Sequence, residues 1–76
     1  MTIIKVDLSS IDRVKRFANT LLRFDGDFDL VSDRYIVDAK SIMGIFSLDL
    51  SKPISLKISN DTEEVLKALE PFKVEE

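Results

Sequence analysis

Ile4, Val6 and Leu8 alternate with Lys5 and Asp7, a period of two that predicts a half-buried strand. Ser9 and Ser10 stop that strand and offer a helix N-cap; Ser9 and Asp12 stand at capping-box spacing, with Asp in place of the usual Glu. Ile11, Val14, Phe17, Ala18, Leu21 and Leu22 recur at helical spacing and predict an amphipathic helix ending near Arg23. Asp25-Gly26 reads as a turn. Phe28 and Leu30, then Tyr35 and Val37, mark two strands joined at Ser32-Asp33 as a hairpin. Ser41 is placed to cap a short second helix running to about Leu48. After the loop Ser51-Lys52-Pro53, Ile54, Leu56 and Ile58 alternate cleanly with Ser55, Lys57 and Ser59 in a fourth strand. Asp61 and Glu64 form the next expected cap pair. Val65, Leu66, Ala68, Leu69 and Phe72 face inward on a third helix, and Pro71 limits its end.

The order is strand, helix, strand, strand, helix, strand, helix (βαββαβα). Each strand has one apolar face and each helix one apolar stripe. The economical packing is α+β: a two-layer open-faced sandwich with a four-stranded, mainly antiparallel sheet and three helices on one face. Residues 1–76 are expected to form one domain, since a chain of 76 residues has no room for a second core.

Folding at this size removes only about 60–65% of the unfolded chain's surface, so a deep enclosed pocket would take too much of the core. Function is expected on the surface. The chain has no cysteine and no histidine. Disulfides, thiolate catalysis and the usual zinc or iron ligand sets are thereby excluded, and no cofactor is expected. The early charge at Lys5 argues against a signal peptide, and no apolar run reaches the ~20 residues of a membrane span. A cytoplasmic location without membrane contact is the expectation.

The net charge of −3 is unevenly spread. Residues 11–24 set Arg13, Lys15, Arg16 and Arg23 against Asp12, a balance of +3. Residues 25–38 and 61–76 each balance at −4. This overall charge argues against nucleic acid as a partner. The basic patch points to an anion or an acidic protein surface, or forms a solvated helix face. Asp25, Asp27, Asp29 and Asp33 lack the ordered spacing of a calcium loop and read as a solvated strand edge.

The run Val37-Asp38-Ala39-Lys40-Ser41-Ile42-Met43-Gly44-Ile45-Phe46-Ser47-Leu48 resembles the regulatory-serine segment of HPr, the phosphocarrier of the bacterial sugar phosphotransferase system. Phe17-Ala18, Ile54 to Ser59 and Glu64 to Glu70 are also similar to that family. The resemblance covers nearly the whole chain and implies the same βαββαβα fold. It also implies a phosphorylated histidine just before the first helix, followed by an arginine and a proline. That histidine position falls near Ser10, the arginine position near Asp12 and the proline position near Arg13; a one-residue slip brings Arg13 into the arginine register. A serine phosphate is a stable monoester, so phosphate relay is not expected; without a histidine, a cysteine or a pocket, neither is enzymatic activity.

Three expectations follow for sites. Ser9, Ser10 and Arg13, with Arg16 nearby, favour an anion at the first helix N-terminus, against simple capping as the plain alternative. Ser41 aligns with the serine that HPr kinase phosphorylates in the family, and is at least an N-cap. Ile42, Met43 and Phe46, with Arg13 and Arg16, correspond to partner-binding positions; Ile42 and Phe46 are equally able to pack into the core. By resemblance to catabolite-repression HPr, partners include HPr kinase, a transcription regulator or phosphotransferase-system enzymes. A docking module indifferent to phosphorylation is the alternative.

Overall fold

The computed structural model describes residues 1–33 and 35–74. Its elements are β1 (Thr2–Val6), α1 (Ile11–Leu21), β2 (Phe28–Ser32), β3 (Tyr35–Asp38), α2 (Ile42–Phe46), β4 (Ile54–Ile58) and α3 (Glu63–Leu69), closed by a 3-10 turn at Glu70–Phe72. The strands form one antiparallel sheet in the order β1-β4-β2-β3, and the three helices cover one face. The expected α+β sandwich is therefore observed, with β4 pairing on both sides.

Register explains the alternation. Ile4, Leu56, Leu30 and Val37 lie across from one another on the helix-facing side, with Val6 opposite Ile54 and Phe28 opposite Ile58. The opposite face carries Ile3, Lys57, Asp29 and Asp38 in one row and Lys5, Ser55, Val31 and Ile36 in the next. Val14, Phe17, Ala18 and Leu21 of α1 bury completely over the inner face, as do Ile45, Val65 and Leu69. Phe17 meets Phe72 edge to face at 5.5 Å, a geometry aromatic quadrupoles favour. Ile11 and Leu22, expected inward, are exposed. Both stand at the ends of α1, beyond the turns that lie over the sheet.

The caps differ from expectation by one residue at two helices. Ser10 caps α1, its hydroxyl accepting the Arg13 N–H at 3.1 Å. Ser9 does not pair with Asp12; its N–H donates to the Asp7 carboxylate at 3.0 Å instead. Thr62 caps α3, accepting from the Val65 N–H. Asp61 is drawn away by the Thr2 hydroxyl at 2.8 Å and the N-terminal ammonium at 3.3 Å. At α2, Ser41 caps as expected.

Two loops close the ends of the sheet. Asp33 follows the last hairpin pair, Ser32 opposite Tyr35, with φ of 46°, a left-handed conformation that Asp tolerates. Gly26 has φ of 107°, and a Cβ there would lie 2.8 Å from Cβ of Asn60. Asn60 in turn donates to the Asp25 carbonyl at 2.7 Å. The C-terminal segment returns along β1: Val74 N–H donates to the Lys5 carbonyl at 2.9 Å and Asp7 N–H to the Phe72 carbonyl at 2.8 Å.

Candidate functional site

Two surfaces gather the residues singled out in the sequence. The first is the start of α1. Here Ser9, Ser10 and Arg13 come together, but their polar groups satisfy the protein itself. The Ser10 hydroxyl is occupied by the Arg13 N–H. The Arg13 side chain donates from Nε to the Asp7 carbonyl at 2.7 Å and from Nη2 to the Pro71 carbonyl at 3.0 Å. Its guanidinium also sits 5.7 Å from the centre of the Phe72 ring. Arg13 thus ties the β1–α1 loop to the C-terminal turn. Ser9, through hydroxyl and N–H, and then the Arg13 charge, hold the Asp7 carboxyl below its ordinary pKa. Arg16 does not join them; it pairs with Asp12 at 3.0 Å on the exposed face one turn along.

A shallow cleft of about 390 Å³ opens beside this loop. Lys52 from the loop before β4 and Lys73 from the C-terminal segment line it with Ser9 and Arg13. Neither lysine was marked by the sequence, because nothing local signals that residues 52 and 73 meet the start of α1.

The second surface is α2. The Ser41 hydroxyl accepts the Gly44 N–H at 3.2 Å, and its backbone carbonyl accepts the Ile45 N–H at 3.0 Å. Ser41 itself is exposed. Ile45 and Leu48 are the buried anchors of this helix. Ile42, Met43 and Phe46 turn outward, with 38%, 84% and 44% of their surface open to solvent. Ile42 and Phe46 are thus not among the buried residues of the core. Lys40, although adjacent to Ser41 in sequence, points elsewhere: its ammonium donates to the Phe24 carbonyl at 2.7 Å and lies 5.4 Å from the centre of the Phe28 ring.

Among the described residues no group of three or more acidic side chains is placed to hold a metal ion, and no helix is long and apolar enough to cross a membrane.

Two solved structures resemble this arrangement over most of their length. The crystal structure of HPr-C-His from Thermoanaerobacter tengcongensis superposes with a TM-score of 0.74 at 30% identity, covering 91% of this chain and 86% of that one. The phosphocarrier protein HPr from Bacillus anthracis strain Ames superposes with a TM-score of 0.65 at 29% identity, covering 96% and 94%. No protein-family model matches the chain, and no curated protein sequence matches it.

Proposed function

The chain belongs to the HPr family, and on that premise we propose that it is a regulatory member that works through protein contacts at α2, switched by phosphorylation of Ser41. The carrying observation is the exposed serine at the head of a helix whose outward side chains are Ile42, Met43 and Phe46. By resemblance its functional analogue is catabolite-repression HPr, which likewise lacks the catalytic histidine and retains the serine. The family's phosphohistidine position falls near Ser10, an N-cap here, and the chain contains no histidine, so phosphoryl relay has no acceptor of the right chemistry.

The local geometry suits a phosphoserine. Phosphate adds about −1.5 to −2 charge and three acceptor oxygens where the first-turn N–H groups of α2 are directed. An apolar patch with an aromatic anchor beside a polar rim has the composition of a protein-binding surface. The partner expected by analogy is a transcription regulator.

Incubation with HPr kinase and ATP, read by intact-mass and peptide mass spectrometry, tests the switch. Phosphate on Ser41, absent from Ser41→Ala, is the expected result; an unmodified Ser41 removes the switch. A second reading, docking indifferent to phosphorylation, draws support from the turn before α2. The Asp38 carboxylate there accepts the Lys40 N–H at 2.9 Å, and the Asp38 carbonyl accepts the Ser41 N–H at 3.0 Å, so a like charge stands close by in the chain. Partner capture unchanged by Ser41→Ala and Ser41→Asp identifies that case.

A further inference from the structure

The two edges of the sheet differ. Along β1 runs the C-terminal segment, with Val6 bridged to Lys73 and the Val74 N–H on the Lys5 carbonyl. Beyond β3 no strand follows among the described residues. Tyr35 and Ile36 on that edge leave 66% and 65% of their surface open to solvent. Neither belongs to the α2 surface or to the start of α1. We propose that β3 pairs antiparallel with β3 of a second copy of this chain, about a two-fold axis at Ile36, so that the two sheets become continuous.

The hydrogen-bond phase places the contact at Ile36. Opposed residues of an antiparallel pair alternate between exchanging both backbone hydrogen bonds and exchanging neither. The Ala39 N–H donates to the Phe28 carbonyl at 2.8 Å, which sets the phase of the β2–β3 ladder. Counting back along the register, Val37 with Leu30 and Tyr35 with Ser32 are the bonded pairs, and Ile36 with Val31 is not. The Ile36 N–H and carbonyl therefore point away from β2, out from the sheet. The Asp38 backbone points the same way, but its carbonyl already accepts the Ser41 N–H at 3.0 Å. Ile36 thus offers both a donor and an acceptor, and a two-fold axis through it makes both bonds at once, N–H to carbonyl in each direction.

The side chains select a second copy as the occupant. In this register Ile36 opposes Ile36, and the outer face gains an unbroken apolar row from Val31 through both isoleucines to the second Val31. Tyr35 opposes Val37 on the helix-facing side. Counted on the sequence, position 34 is an arginine and opposes Asp38 of the second copy, so each end of the seam sets unlike charges together. An axis centred on residue 34 or on residue 38 would set like charges together. Charges on an edge strand usually keep other strands away. An unrelated strand would need the complementary order of charges, whereas a second copy carries it by symmetry. The seam is short, about 13 Å for four residues at ~3.3 Å each. Its area falls below that of stable dimers, so the pairing is weak and depends on concentration.

The test uses the full chain. Amide shifts of the ¹⁵N-labelled protein, followed from millimolar to micromolar concentration, should move at Tyr35, Ile36 and Val37 and stay fixed along α1. Ile36→Lys should abolish that concentration dependence and leave the rest of the spectrum unchanged, since the side chain faces solvent. The chain has no cysteine, so single introduced thiols report the geometry. Bonded antiparallel partners have Cα atoms about 5.5 Å apart, within the span of a disulfide. In a glutathione redox buffer, Ile36→Cys should form covalent dimer about tenfold faster than Ile3→Cys, whose site on β1 is also exposed. Shifts independent of concentration, concentration-dependent shifts confined to other elements, their persistence in Ile36→Lys, or equal cross-linking at the two positions would each overturn the proposal.

Discussion

Replacing Phe46 with Ala separates a contact residue from a core residue by magnitude. Phe46 keeps 44% of its surface exposed, so a little over half is covered by neighbours. Complete burial of a Phe side chain is worth about 1.5–3 kcal/mol in transfer free energy. The covered fraction scales this to about 1–1.5 kcal/mol. A side chain at the surface leaves no closed cavity, so little is added to that figure. Phe17 supplies the internal reference: it is fully buried, and truncation of such a residue costs about 3–5 kcal/mol, cavity included. Urea unfolding followed by circular dichroism at constant m reads both variants on one scale. At about 4–8 °C per kcal/mol for a domain of this size, Phe46→Ala should lower Tm by roughly 4–12 °C and Phe17→Ala by far more. Partner capture should be lost in Phe46→Ala at temperatures where the variant remains folded. A loss of 3 kcal/mol or more (about the low end for a buried Phe), or undiminished capture, would refute the patch.

Other perturbations test ties elsewhere in the fold. Arg13→Ala removes two charge-assisted hydrogen bonds to Asp7 and Pro71 carbonyls and should cost about 2 kcal/mol in urea unfolding, with Arg13→Lys recovering part of it. Gly26→Ala combines a left-handed backbone with a 2.8 Å approach to Asn60 and should lose about 2 kcal/mol or more by the same measurement. Asp7 is held below its ordinary pKa in the folded state, so its contribution is complete above the unfolded value of about 4 and fades as pH falls through the folded value. The stability gap between the wild type and Asp7→Asn should therefore be constant near neutrality and close on acidification. A gap that widens in acid contradicts the assignment.

The strands and the main helix were legible because each element is half-buried, and burial writes a period of two or of about 3.6 into the sequence. Ile54 to Ile58 and Val14 to Leu21 show this directly. The caps were harder, because adjacent residues had equal local claims. Between Ser9 and Ser10 the choice is set by the Asp7 carboxylate, which takes the Ser9 N–H; between Asp61 and Thr62 it is set by Thr2 and the N-terminus, far away in sequence. On α2, five residues are too few to phase a helix, so only the structure distinguishes buried Ile45 from exposed Ile42 and Phe46. A groove beside α1 was half visible: its arginines stood out as a charge imbalance, but Ala68, Pro71 and Phe72 arrive from the other end of the chain. Lys40 shows how sequence neighbours can part in space. Its neighbour in sequence is Ser41, yet its ammonium reaches back to Phe24 and Phe28.

The position of β4 between β1 and β2 also governs when this molecule can assemble. Thr2 finds its partner only at Ile58, and Phe28 finds the other side of the same residue. While the ribosome is still delivering residues before Ile54, the hairpin of β2 and β3 is the one pairing available, and a lone hairpin is marginal in water. Closing the long loop back to β1 then carries an entropic barrier that slows the transition. A chain lacking β4 has neither of the two ladders that connect β1 to β2.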